Sequence, residues 1–145
     1  MLMENVRRMS GKGGLVGTRK PRITVFHCFT ALENTASLEG SDYEIQGIKM
    51  PCSSISREVF LLRAFEAGAD AVVVLVCPVN SCRYVQGNIR TAKRVARVKK
   101  LLDEIGIDGR RLNMFNIVQG DESAARRIIE QTVAELGEWG LSVAA

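Results

Sequence analysis

The chain has 145 residues, 46% hydrophobic and 25% charged, enough for one domain with a real core, which excludes a mostly disordered polypeptide and any need for disulfides or metals merely to fold. Its formal charge of +4 is unevenly spread: residues 1–22 hold six Lys/Arg and one Glu, and the remainder fourteen and fifteen, so the basicity belongs to an arm on a near-neutral domain. No apolar run is long enough to span a membrane, and the N-terminus lacks the apolar stretch of a secretory signal, so a cytoplasmic protein with reduced thiols is expected.

Residues 1–21 read as a basic extension: Gly11, Gly13, Gly14 and Gly17 interrupt it and it has no hydrophobic period. Its GKGGLVGTRK lacks the order G-x-x-x-x-G-K-[ST] and the preceding strand that a phosphate loop requires. From residue 22 to 145 the chain reads as a single domain. Strands are expected at Ile23–Phe29, Tyr43–Met50, Ala71–Val76 and Leu112–Val118. The third of these, AVVVLV, is apolar without alternation, as befits a central parallel strand covered on both faces.

Helices are expected between them. Ser56 can cap one from Arg57 to about Ala67, with Val59, Leu62 and Phe65, or Phe60 and Ala64, inward. A second runs from about Asn88 to Ile105, its inward stripe being Ile89, Ala92, Val95, Val98, Leu102 and Ile105. Asp121 can cap a third, with Ala125, Ile128, Ile129, Val133 and Leu136 as its stripe and Gly137 or Gly140 as its end. Thr30–Gly40 must cross between strands through a short or irregular helix, and a fifth strand could lie at Leu141–Ala144. The order βαβαβαβα implies an α/β fold: an open parallel sheet of four to five strands with helices on both faces.

On this scheme Cys28 ends the first strand, Cys52 follows the second, Cys77 ends the third, and Cys82 lies in the loop after it. The gaps from Cys28 to Cys52 and from Cys52 to Cys77, 24 and 25 residues, each match one βα unit. Parallel strands end on one edge, where open α/β sheets bind their ligands, so the four thiols are expected to converge there. The alternatives are buried small hydrophobes, a metal site or a thiol–disulfide pair. Only Cys77 and Cys82 form a close pair; zinc knuckles usually come in two such pairs, and a C-x-x-C motif is absent. The four-residue gap between Cys77 and Cys82 also occurs in 2Fe–2S proteins. His27, the single histidine, lies by strand alternation on the face opposite Cys28 and reads as structural or interfacial.

From about Arg22 to Gly140 the chain resembles the methyl-viologen-reducing hydrogenase delta-subunit (MvhD) family. The resemblance rests on Phe26-His27-Cys28, Cys52-Ser53, the run Arg63-Ala64-Phe65-Glu66-Ala67-Gly68-Ala69-Asp70, and Cys77-Pro78-Val79-Asn80-Ser81-Cys82-Arg83-Tyr84, then Gly87-Asn88-Ile89-Arg90 and Lys93-Arg94-Val95. It implies a flavodoxin-like fold and an electron-transfer role within an anaerobic oxidoreductase complex. One 2Fe–2S cluster, held by Cys28, Cys52, Cys77 and Cys82, would relay electrons between a catalytic module and the FAD-bearing subunit of a heterodisulfide-reductase-type complex. That module could be a hydrogenase, a formate dehydrogenase or another oxidoreductase, with no catalysis by this chain alone. The chain departs from the family pattern at Ala31, where a second cysteine is common, at Ser54-Ile55, and in the proline after Cys77, which is shifted by one place. The alternative is a cluster-free adaptor subunit of the same kind of complex.

Seven basic residues, Arg83, Arg90, Lys93, Arg94, Arg97, Lys99 and Lys100, fall within eighteen positions without an acid. They read as a solvated helix face or as a surface for an acidic partner, Arg94, Arg97 and Lys100 facing outward. With only Tyr84 interleaved and no nucleic-acid-binding signature, nucleic acid and membrane are not expected as partners. A receiver-like signalling domain would need an acidic strand-end pocket, which is missing.

Overall fold

The computed structural model describes residues 20–28, 31, 32, 34–50, 58–77 and 87–141. Four strands, β1 (Arg22–Cys28), β2 (Glu44–Met50), β3 (Ala71–Val76) and β4 (Leu112–Asn116), form one sheet in the order β2-β1-β3-β4. Every pairing is parallel, with Ile23 opposite Ile45 and Ala71, and Val72 opposite Leu112. This is the flavodoxin-like order through its first four strands. The switch in strand order falls between β1 and β3, whose C-terminal ends carry Cys28 and Cys77.

Three helices, α1 (Glu58–Glu66), α2 (Gly87–Glu104) and α3 (Glu122–Trp139), cover the sheet. On one face Leu61, Ala64 and Phe65 of α1 and Val95, Val98 and Leu102 of α2 pack on Phe26, Val72, Val74 and Val76. On the other, Ala125, Ile129 and Leu136 of α3, with Leu38 and Tyr43 of the β1–β2 crossing, pack on Ile23, Val25, Val73 and Leu75. Period-2 alternation in the central strands thus feeds two cores, and β3 is buried at all six positions. The expected helices on both faces are present. None of the described helices is long and apolar enough to cross a membrane.

Several expectations need correction. The inward stripe of α1 is Leu61, Ala64 and Phe65, whereas Val59 and Phe60 are 43% and 45% exposed. In α2, Ile89 and Ile105 are likewise exposed, at 45% and 62%, and Ala92 faces solvent. Thr91 takes a buried place instead. β4 ends at Asn116 rather than Val118; the crossing between β1 and β2 carries the expected short helix as a 3-10 turn, Ala36–Leu38. Asp121 caps α3 as expected, accepting from the Ala124 amide at 3.0 Å, and Gly140 ends the helix at φ 82°. The proposed Ser56 cap, the fifth strand at Leu141–Ala144 except for Leu141, and the extension apart from Lys20 and Pro21 lie outside the described residues.

The motif running from Arg63 to Asp70 is structural. Gly68, at φ 107°, turns the chain out of α1. Asp70, fully buried, accepts from the Arg22 amide at 2.8 Å, while its own amide donates to the Arg22 carbonyl at 2.7 Å. It pins the starts of β1 and β3 together, at the edge opposite the cysteines.

Candidate functional site

Two of the four cysteines are described. Cys28 closes β1 opposite Met50 of β2, and it also starts a tight turn: its carbonyl accepts from the amides of Ala31 at 3.0 Å and Leu32 at 3.1 Å. The turn is stapled by His27, 2% exposed, whose Nδ1 lies 2.8 Å from the Leu32 carbonyl. A carbonyl only accepts, so Nδ1 carries the hydrogen. Burial, with a smaller contribution from the positive charge of Lys49, which pairs with His27 across the β1–β2 register, holds the imidazole below its ordinary value of 6.5 against opposing hydrogen bonds. A neutral histidine with its hydrogen donated to the backbone is a support for the turn, as expected of a structural residue.

Cys77 is the first residue beyond β3. Its carbonyl has outrun the β3–β4 ladder, which ends at Val76 opposite Asn116, and the Asn116 side-chain amide takes over, donating at 2.8 Å. Cys28 is 2% exposed and Cys77 4%, and both belong to the core under α3, together with Ala31, Leu32 and Ile117. The β1–β3 register, Ile23 opposite Ala71 through His27 opposite Leu75, puts Cys77 one residue beyond the position facing Cys28. Adjacent strands at ~4.8 Å and a one-residue offset of ~3.3 Å separate their Cα atoms by roughly 6 Å. The two described cysteines therefore lie on neighbouring strands at the switch point.

Cys52 and Cys82 lie outside the described residues, and among the described residues no group of three or more His, Cys, Asp or Glu could hold a metal. The chemistry of the two thiols nonetheless fits an iron–sulfur centre, whose irons take cysteine thiolates. Both are shielded from water in one apolar core. Ala31, at the place of the family's second cysteine, is wholly buried in the same core.

The basic helix is only partly an open surface. Arg97 is ion-paired with Glu58 of α1 while its side chain stays exposed as expected, and Lys99 donates to Asn113 of β4 at 3.0 Å. Arg90, Lys93 and Lys100 are exposed. An apolar cavity of about 360 Å³, lined by Phe26, Ile48, Met50 and Phe60, opens between α1 and the β1–β2 face, in the core opposite to that of the cysteines.

Sequence reasoning overlooked Asn116 and Gly120. Asn116 donates to the Cys77 carbonyl, and the Gly120 amide donates to the Ala31 carbonyl at 2.9 Å. A usable signal was present: a polar amide at the last position of a strand is suited to capping the neighbour that runs on past it.

A family model described as "Methyl-viologen-reducing hydrogenase, delta subunit" matches residues 23–140. The vhu iron-sulfur subunit of the F420-non-reducing hydrogenase of Methanococcus maripaludis is 31% identical over 126 residues, covering 83% of this chain and 94% of the relative. Its namesake in Methanocaldococcus jannaschii is 36% identical over 100 residues, 66% of this chain and 75% of the relative. A subunit of the ferredoxin/F420H2-dependent CoB-CoM heterodisulfide reductase of Methanosarcina acetivorans is 32% identical over 125 residues, 83% of this chain but 16% of that much longer polypeptide. With the flavodoxin-like order of its strands and the profile running from β1 to the end of α3, the chain belongs to the methyl-viologen-reducing hydrogenase delta-subunit family.

Proposed function

We propose that the chain is an electron-transfer component of a hydrogenase or heterodisulfide-reductase complex. Cys28, Cys52, Cys77 and Cys82 hold one 2Fe–2S cluster, and electrons pass through it between a catalytic module and a flavin-bearing subunit. The observation that carries the reading is the convergence of the buried Cys28 and Cys77 in one core at the strand-order switch. The hydrogenase relatives, named as iron-sulfur subunits, support it. The heterodisulfide reductase polypeptide that carries a similar segment within its own length supports a partner of that kind.

Within this reading the cluster supplies a one-electron carrier, and the chain's own residues prepare its surroundings. Ala31, Leu32 and Ile117 exclude water around the two thiols. The His27 staple keeps the Cys28 turn closed without adding a charge beside it. The N-terminal end of α2 follows the Cys77–Cys82 loop, where its dipole favours a negatively charged centre.

Anaerobic purification tests the proposal: about two irons per chain, with visible thiolate-to-iron absorption, is expected for the cluster type. Cys77→Ser should lose both. A colourless wild-type protein that still co-purifies with an oxidoreductase partner would sink the relay and leave the cluster-free adaptor. A monomer without partners would overturn the assignment to a complex.

A further inference from the structure

The segment from Asn116 to Gly120, between β4 and α3, touches the backbone of both cysteine-bearing turns. At one end the Asn116 side chain donates to the Cys77 carbonyl at 2.8 Å, and the Ile117 amide donates to the Val76 carbonyl at 2.9 Å. At the other, the Gly120 amide donates to the carbonyl of Ala31 at 2.9 Å, and Ala31 itself closes the Cys28 turn. Gly120 has φ 74°, which turns its amide toward that carbonyl at a position where a side chain would be strained. Between the two ends Ile117 packs into the core that holds both thiols.

We infer that Asn116 is a positioning residue for the site, and that the loop it opens sets the separation of Cys28 and Cys77. A buried carbonyl just past the end of a strand must find a donor. Backbone pairing holds β3 only through Val76, so a side chain carries the fixed geometry one residue farther, to the cysteine itself. Ladder bonds pair β1 with β3 only as far as His27 and Leu75. A short loop bonded to both turns couples them, so that loosening one end loosens the pair. The role of the loop as a support for iron rests on the cluster reading above; the coupling of the two thiols does not.

The test uses the full chain with Asn116→Leu, similar in size and without a donor. The matched control is Asn113→Ala, on the same strand, whose side chain bonds to Arg110 and Lys99 and touches neither cysteine. In chelator-treated, reduced protein, iodoacetamide labelling of Cys77, read by peptide mass spectrometry, should be about five- to tenfold faster in Asn116→Leu, as loss of one hydrogen bond implies. Cys28 should accelerate with it, and Asn113→Ala should match wild type. After reconstitution with iron and sulfide, the paramagnetic resonance signal of the reduced protein should change in Asn116→Leu and not in the control. If Asn116→Leu does not fold, Asn116→Ser, whose hydroxyl is too short to reach, is scored in the same way. Unchanged labelling of Cys77, acceleration of Cys77 alone, or equal acceleration in the control overturns the inference. Wild-type protein that takes up no iron removes the cluster reading, while the labelling still decides the coupling.

Discussion

Replacing His27 by leucine removes a hydrogen bond and a titrating group from one buried spot, and the two losses have opposite dependence on pH. At pH 7.5 the imidazole is neutral and donates to the Leu32 carbonyl. Leucine fills similar space without donating, so a carbonyl on a residue only 2% exposed loses this partner, at a cost of about 1–3 kcal/mol. With a urea dependence of ~2 kcal/mol per molar, the midpoint falls by roughly 1 M. Acidification acts on the wild type. Burial lowers the folded-state pKa below the ordinary 6.5, so below pH 6.5 the unfolded chain binds a proton that the folded chain refuses. Stability therefore falls as pH drops, by at most about 1.4 kcal/mol per pH unit, until the lowered pKa is reached. The positive charge of Lys49, opposite His27 on β2, reinforces the effect. The leucine variant lacks this loss, so its deficit should shrink between pH 7.5 and 5.5. Urea titrations of both reduced proteins, followed by circular dichroism at the two pH values, measure it. A deficit that is the same at both, or below about 0.5 kcal/mol at pH 7.5, would refute the buried neutral staple.

Three further outcomes follow from the packing. A Cβ on Gly47 would lie 2.8 Å from Cγ2 and 3.1 Å from Cβ of Thr35, so Gly47→Ala should cost about 1–3 kcal/mol; adding Thr35→Gly should relieve the clash, and a double-mutant cycle in urea showing no coupling would contradict it. At Gly109 the obstacle is the Lys99 backbone carbonyl, 2.6 Å away, so Gly109→Ala should lower the melting temperature by several degrees; an unchanged value would mean that α2 shifts freely. Asp70→Ala strips the Arg22 amide of its 2.8 Å acceptor in a part-buried bond and should cost about 1 kcal/mol, with hydrogen exchange at Arg22 accelerated; unaltered protection there would argue against the knot.

Much of the architecture was legible from local pattern. Ala71–Val76 was recognisable as a central strand because its burial on both faces imposes a wholly apolar composition. The Asp121 cap and the α3 stripe followed from side-chain chemistry and the 3.6-residue period. The errors cluster where period meets boundary. Val59, Phe60, Ile89 and Ile105 have plausible spacing but are exposed, Phe60 beside an open apolar cavity, and hydrophobicity carries no record of where the cover ends. Arg97 and Lys99 looked like free charge until α1 and β4 were placed beside them.

For the candidate site the division is similar. Cysteine spacing against βα units was sufficient to bring Cys28 and Cys77 to one edge, because parallel strands all end on the same side. How the two thiols are held was decided only in three dimensions: by the β2-β1-β3-β4 order that makes their strands neighbours, and by Asn116 and Gly120, which are distant from the two cysteines along the chain. Hydrogen bonds between distant segments leave no periodic trace in a sequence, since a single amide at the right place suffices and its partner is a backbone carbonyl that every residue possesses.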